Sequence, residues 1–294
     1  MKKLRYALEA LLLGVLLVFF KLLPPRTASA IGGWIGRTIG PKLAASRKAL
    51  RNVERAMPEK SDEERKQIIA DMWAHLGRVM AEYPHLETIA REYTEIENIE
   101  ALKKLKSDKQ PAVFFGAHFG GWEINAPTVH AQLAMDIDIT YRAPNNPWVD
   151  KMLDKMRSMK GEIPAHSKSR EGGRDMMNAI KNGRSLGILI DQKYNQGLGV
   201  PFFGIEAMTN PFFVQLAQKY KVPLIPICGR RLDGCRFRLT IFDPVAVFDG
   251  QGNPRAVEDV IKDAHALLEE WIRQEPNQWL WLHRRWPDKR RNNE

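Results

Sequence analysis

Residues 111–123 read Pro-Ala-Val-Phe-Phe-Gly-Ala-His-Phe-Gly-Gly-Trp-Glu, and they decide how the rest of the chain is read. The apolar run Ala112–Ala117 has the length and composition of a buried strand. His118 follows it, then Gly120 and Gly121, and Glu123 stands five residues after the histidine. On one continuous helix that spacing would set the two side chains roughly 140° apart, and they would not meet. The glycines predict a different arrangement. The strand ends near Ala117, His118 sits at its carboxyl end, the chain turns, and Glu123 lies in the first turn of the next helix. Open α/β sheets carry their sites at such carboxyl ends. A carboxylate on one ring nitrogen fixes the tautomer and leaves the other nitrogen as a base, so His118 and Glu123 are the predicted catalytic pair. The backbone N–H groups of Gly120 and Gly121, near a helix start, are candidate oxyanion donors.

Outward from this segment, strands and helices alternate. Further strands are expected at Ile137–Tyr141, Ser185–Ile190, Val222–Cys228 and Arg236–Phe242. Helices are expected near Asn98–Lys106, Trp122–Leu133, Pro147–Met159, Arg170–Lys181, Asn210–Tyr220 and Pro254–Arg273. Short connections between alternating elements predict one α/β domain with a mixed, largely parallel sheet flanked by helices, and a hairpin near Asp233-Gly234. Gly183-Arg184-Ser185-Leu186-Gly187 fits the G-x-S-x-G pattern of serine hydrolases. It follows a helix and opens a strand, the reverse of a nucleophile elbow.

The amino-terminal part reads differently. Ala10–Phe20 is an uninterrupted apolar run behind a basic start, and Leu4–Leu23 is long enough to span a bilayer but includes Arg5, Glu9 and Lys21. We read residues 1–25 as a membrane anchor, spanning the bilayer or lying in its surface, and residues 26–294 as the catalytic domain. A cleaved signal peptide is disfavoured by Lys21 and the Pro24-Pro25 break, and a buried soluble helix is the remaining alternative to the anchor. Ala28, Gly32, Gly36, Gly40 and Ala44 form a small-residue stripe suited to close helix packing. Lys42–Met57 is basic and amphipathic, fit for anionic headgroups or plain solvation. Ser61 and Glu64 make a capping box that opens a helix through Tyr83, in which His75 is expected to be structural.

The chain has 294 residues and a net charge of +10 from 45 Lys+Arg and 35 Asp+Glu. That balance suits a polyanionic partner: anionic lipid or an acidic carrier. Nucleic acid is disfavoured, because no zinc-ligand spacing, RNP-like aromatic motif or basic zipper occurs. The two cysteines, Cys228 and Cys235, flank the predicted hairpin turn and suit reduced packing positions. No sequence pattern calls for a metal or a cofactor.

Gly116-Ala117-His118-Phe119-Gly120-Gly121-Trp122-Glu123 resembles the H-x-x-x-x-E signature of the late acyltransferases of lipid A biosynthesis, whose relatives with H-x-x-x-x-D include the glycerolipid acyltransferases. Tyr141-Arg142-Ala143-Pro144-Asn145-Asn146-Pro147 is similar to that family's Y-R-x-x-x-N-P segment. Arg157 stands where the family carries a functional arginine, and Ile190-Asp191-Gln192 where it carries a strand-end aspartate. Val200-Pro201-Phe202-Phe203-Gly204 resembles its V-P-x-F-G loop, and Trp279–Trp286 its terminal W-x-H-R-R-W/F motif. The resemblance runs in order along nearly the whole chain.

It implies transfer of a fatty acyl group from acyl carrier protein to a hydroxyl of a 3-hydroxyacyl chain on a lipid A precursor, at the cytoplasmic face of a bacterial inner membrane. Arg142, Arg157 and Asp191 become substrate-binding or oxyanion candidates, and Arg284 and Arg285 headgroup candidates. Direct transfer needs no covalent enzyme intermediate. Two other readings remain open at this point: an acyltransferase for another glycolipid or a lysophospholipid, and a membrane lipid-binding protein without catalysis.

Overall fold

The computed structural model describes residues 2–287 apart from 142, 143 and 168. Its amino-terminal third is helical: α1 (Lys2–Lys21), α2 (Pro25–Ile39), α3 (Ala45–Ala56), α4 (Asp62–Glu82) and α5 (Leu86–Glu92). Then come β1 (Thr94–Glu97), α6 (Ile99–Ser107), β2 (Val113–Gly116), α7 (Asn125–Leu133), β3 (Ile137–Tyr141), α8 (Pro147–Arg157), β4 (Ala165–Ser167), α9 (Arg170–Lys181) and β5 (Ser185–Leu189). The chain continues through β6 (Leu198–Phe202), β7 (Ile205–Thr209), α10 (Phe212–Tyr220), β8 (Leu224–Asp233), β9 (Arg236–Ile241) and α11 (Val257–Gln274).

Seven strands form one sheet in the order β1-β9-β8-β2-β5-β3-β4. Only β8–β9 pair antiparallel within it, so the mixed, largely parallel sheet expected from the alternation is present. Side chains alternate between its faces. Val113, Phe115 and Leu186 join the larger core with α10 and α11, while Phe114, Ile137 and Ile227 join the core beneath α7. The predicted hairpin turns at Gly234, whose φ of 46° is left-handed, and both cysteines are buried and unbridged. A second hairpin, β6–β7, was not expected. Its turn is Phe203-Gly204, with both φ positive, inside the stretch read as a loop.

The small-residue stripe has its partner in α4. A Cβ on Gly32 or Gly36 would collide with the Gly77 or Trp73 carbonyl, so the two backbones touch directly. The capping box is made: Glu64 N–H donates to Ser61 Oγ at 3.2 Å and Ser61 N–H to Glu64 Oε2 at 2.8 Å.

The amino-terminal membrane helix needs correction. Among the described residues no helix is long and apolar enough to cross a membrane. The uninterrupted run Ala10–Phe20 reaches only about 16 Å at 1.5 Å per residue, and Glu9 and Lys21 close it. Instead, α1 packs against the body. Leu17 and Phe20 are buried, Gly14 lies against Met152 of α8, and Asn146 Nδ2 donates to the Tyr6 carbonyl at 2.9 Å. Its other side exposes Leu4, Leu8, Leu11, Leu12 and Val15.

Candidate active site

Parallel pairing of β2 with β5 sets the geometry. Gly116 pairs with Leu189, so His118 and Asp191 each stand two residues past the same rung. Their side chains meet there. His118 Nδ1 lies 2.8 Å from Asp191 Oδ1, and Asp191 Oδ2 accepts from the His118 backbone N–H at 2.9 Å and from Trp279 Nε1–H at 2.8 Å. Asp191 is fully buried. Burial alone would raise its carboxyl. The His118 charge and hydrogen bonds, with His283 nearby, outweigh that and hold it well below the usual carboxylate range. An ionised carboxylate only accepts, so Nδ1 carries a proton, and in the neutral ring Nε2 is the lone pair. Nε2 faces the Gln192 amide nitrogen at 3.2 Å, and the same nitrogen lies 3.2 Å from His283 Nε2.

Glu123 was expected to orient this ring, and the structure gives that place to Asp191. The glycine turn carries Glu123 to another partner. Its Oε2 accepts from Arg157 Nε at 2.9 Å and its Oε1 from Trp122 Nε1–H at 3.1 Å. Arg157 also donates to the Tyr83 hydroxyl at 3.1 Å and lies over the Tyr141 ring. Burial disfavours the guanidinium charge, but Glu123 and Tyr83 more than restore it. The Tyr83 hydroxyl is pushed well above its ordinary pKa by burial and by Glu123. His118, Glu123 and Arg157 line one cavity, so the structure brings them together as two separate pairs rather than one relay.

The oxyanion donors expected at Gly120 and Gly121 are already engaged. Gly120 N–H donates to the Gln278 carbonyl at 3.0 Å, and Gly121 N–H donates to the Gly229 carbonyl. The two glycines serve close packing instead. A Cβ on Gly120 would strike the Gly229 carbonyl, and Gly120 has φ of 53°. Behind the turn, His75 Nε2 donates to the Gly120 carbonyl at 2.9 Å while its Nδ1 accepts from Arg231 Nε at 3.1 Å. Arg231 in turn grips Glu82 through both terminal nitrogens. Burial, with Arg231 alongside, holds the His75 pKa far below its ordinary value, so the ring is neutral and props the turn.

The cavity of about 380 Å³ runs from His118 beneath α7. Phe114, Gly116, Ile137, Ile139, Gly187, Leu189 and Ile227 of the sheet line it. Phe114 pairs with Gly187 and Gly116 with Leu189, so a large residue faces a glycine on each rung. The missing side chains leave the hollow. Such a slot, apolar within and polar at the histidine end, suits an acyl chain whose reactive carbonyl stops at His118.

Among the remaining predicted residues, Arg142 lies outside the described residues. Arg285 is fully buried, donating to the Met208 carbonyl at 2.9 Å, Thr209 Oγ1 at 2.7 Å and His265 Nε2 at 3.1 Å. It clamps the β6–β7 hairpin and is no headgroup contact. Arg284 is exposed on the other side of that segment. Trp279, Trp281 and Trp286 are fully buried around it. Sequence reasoning missed the neighbours Tyr83 and Gln192. Gln192 had a signal, its place one residue past the strand-end aspartate; Tyr83 closes a run of helical apolar spacing that marks it only as core.

Comparison with known proteins decides the lineage. A family model described as bacterial lipid A biosynthesis acyltransferase matches residues 1–288. The chain belongs to that family. The lipid A biosynthesis palmitoleoyltransferase of Escherichia coli (strain K12) is 28% identical over 295 residues, covering 96% of this chain and 91% of the relative. The lauroyltransferase of the same organism is 27% identical over 250 residues, covering 80% and 76%. Its myristoyltransferase is 22% identical over 281 residues, covering 89% and 81%. This lipid A acyltransferase is therefore an enzyme of acyl transfer in lipid A biosynthesis, and the reading as a non-catalytic lipid binder falls away.

Proposed function

We propose that this chain transfers a fatty acyl group from acyl carrier protein to the hydroxyl of a 3-hydroxyacyl chain on a lipid A precursor. The observation that carries the reading is a buried carboxylate fixing the tautomer of a histidine whose other nitrogen opens on an apolar slot. The acceptor hydroxyl takes the place of the Gln192 amide at His118 Nε2 and gives up its proton there as its oxygen bonds to the thioester carbon. Asp191 steadies the imidazolium. The tetrahedral intermediate collapses, the carbon–sulfur bond breaks, and the imidazolium returns the proton to the leaving thiolate. Arg157, held by Glu123 on the cavity wall, is the cation nearest to hand for the oxyanion or a phosphate of the acceptor.

The exposed apolar side of α1, with Trp148 beside it on α8, lies in the surface of the bacterial inner membrane on its cytoplasmic face, where the acceptor is dissolved. The donor is a carrier thioester, in keeping with the net charge of +10 against an acidic protein. Purified protein incubated with acyl carrier protein thioesters and a lipid A precursor should add one acyl mass per acceptor. His118→Ala should abolish the addition. Transfer at the normal rate by that variant would end the mechanism, and transfer to a lysophospholipid in preference to the lipid A precursor would end the acceptor assignment.

A further inference from the structure

A second concavity lies between α3 and the carboxy-terminal segment, lined by Lys48, Arg51, Asn52, Arg55, Arg284 and Trp286. Positions 48, 51 and 55 share one face of α3. Among the described residues no carboxylate pairs with Lys48, Arg51 or Arg55, and Glu54 is the one acid on the helix. Three side chains of this face hold the segment in place. Lys48 donates to the Leu282 carbonyl at 3.3 Å, Asn52 to the Trp281 and His283 carbonyls at 2.8 and 2.7 Å, and Arg55 to the Pro287 carbonyl at 2.6 Å. The held segment joins the two concavities. His283 lines the catalytic cavity and its neighbour Arg284 lines the groove, with Cα atoms about 3.8 Å apart.

Helix α4 separates this groove from the apolar face. Ile68, Ile69 and Met72, in its first half, share a core cluster with Ala49 and Val53 of α3. Tyr83, just past its end, shares one with Leu17 of α1. Ile69 and Tyr83 are 14 residues apart, about 21 Å along a helix. Among the described residues, eight of the sixteen exposed large apolar side chains lie on α1, whereas α3 exposes none and only Leu43, two residues before it, is exposed beside it. A basic helix that exposes no large apolar side chain of its own lacks most of what inserts an interfacial helix into lipid.

We infer that the α3 groove is the docking site for an acidic protein partner, the thioester-bearing carrier. This rests on the donor proposed above. The carrier binds at the strap carrying His283, and its prosthetic arm enters the cavity from that side, while the lipid acceptor arrives from the side of α1 and α8.

The test titrates unacylated acyl carrier protein into the full chain and into Lys48→Glu/Arg51→Glu, with Lys181→Glu on α9 as an off-groove control. Binding of all three proteins to mixed phosphatidylethanolamine–phosphatidylglycerol vesicles is measured alongside, and thermal unfolding checks the fold. The double reversal is expected to weaken carrier binding by about tenfold or more and to flatten its salt dependence, with vesicle binding held within about twofold and the control unchanged. Any other pattern overturns the proposal. Carrier affinity unmoved by the reversal removes the groove as its site, and loss of vesicle binding assigns the groove to the membrane. The titration needs no turnover, so an enzyme that binds carrier at the groove but acylates no lipid A precursor would sink the functional reading alone.

Discussion

The carboxylates of Asp191, behind His118, and Glu123, on the cavity wall, differ in how the fold uses them. Asp191 is 73 residues from His118 in sequence and touches it; Glu123 is five residues away and pairs with Arg157 instead. Sheet register explains the contrast. Residues equally far past one rung of two neighbouring parallel strands lie side by side, whereas a glycine turn can carry a near neighbour to another wall. Asp191 is sealed under Trp279 and held against the His118 ring and backbone. Glu123 keeps about 14% of its side chain exposed and answers to a cation at the cavity wall.

The largest effect expected from breaking this comparison is on catalysis. Asp191→Asn should lower kcat by about a thousandfold, because an amide does not hold the imidazole in the productive tautomer or stabilise its charged form. Glu123→Gln, read in the same assay, should cost less in kcat and act more through KM. If the Glu123 variant loses more kcat and shifts the limb of the pH–rate profile that belongs to the base, the two carboxylates have been given each other's roles.

The second effect is on stability. Replacing Glu123 leaves the Arg157 guanidinium, also about 14% exposed, without its counter-charge. Glu123→Gln should therefore lose about 3 kcal/mol in urea unfolding, and Glu123→Gln/Arg157→Gln should recover a good part of it. A double variant no more stable than the single one would show that the pair contributes little beyond its individual contacts.

The sequence made His118 legible because an apolar run, a glycine and a histidine can be read locally. The strands flanking it were legible for the same reason, and five of the expected strand runs correspond to β2, β3, β5, β8 and β9. The partner of His118 was not, because pairing of β2 with β5 is a long-range event that no local spacing encodes; Asp191 entered only through the family resemblance. The short strands β1 and β4, four and three residues long, fell below any periodicity signal. Arg285 was misplaced for a related reason: consecutive arginines look alike in sequence, yet one faces solvent and the other is buried over the Phe202 ring.

A sharper probe of the cavity uses Gly187. A Cβ there would meet Ile139 Cγ2 at 3.6 Å, ordinary contact, so a side chain fits without moving the sheet. Gly187→Val should fill the slot and shift donor preference to shorter acyl chains, at about 0.8 kcal/mol, or roughly fourfold in kcat/KM, for each methylene displaced. Competition between donors of different length reads this directly. A uniform loss across all lengths would mean the acyl chain lies elsewhere.

The smallest effect concerns the histidines outside the His118–Asp191 pair. His75 and His265 are both held neutral: burial lowers each, aided by Arg231 for the first and Arg285 for the second, His265 reaching about 3. With folded pKa values below the unfolded value near 6.5, the unfolded chain takes up protons first as pH falls. Their contribution is complete above about pH 6.5 and is lost progressively below it, at up to about 1.4 kcal/mol per pH unit for each ring. His265→Gln should flatten that slope between about pH 6 and 4 without altering its sign, since His75 remains. An unchanged slope would mean that the His265 ring is charged in the folded state. Its bond to the buried Arg285 would then have to be replaced by a repulsion, which the 3.1 Å contact between His265 Nε2 and the guanidinium argues against.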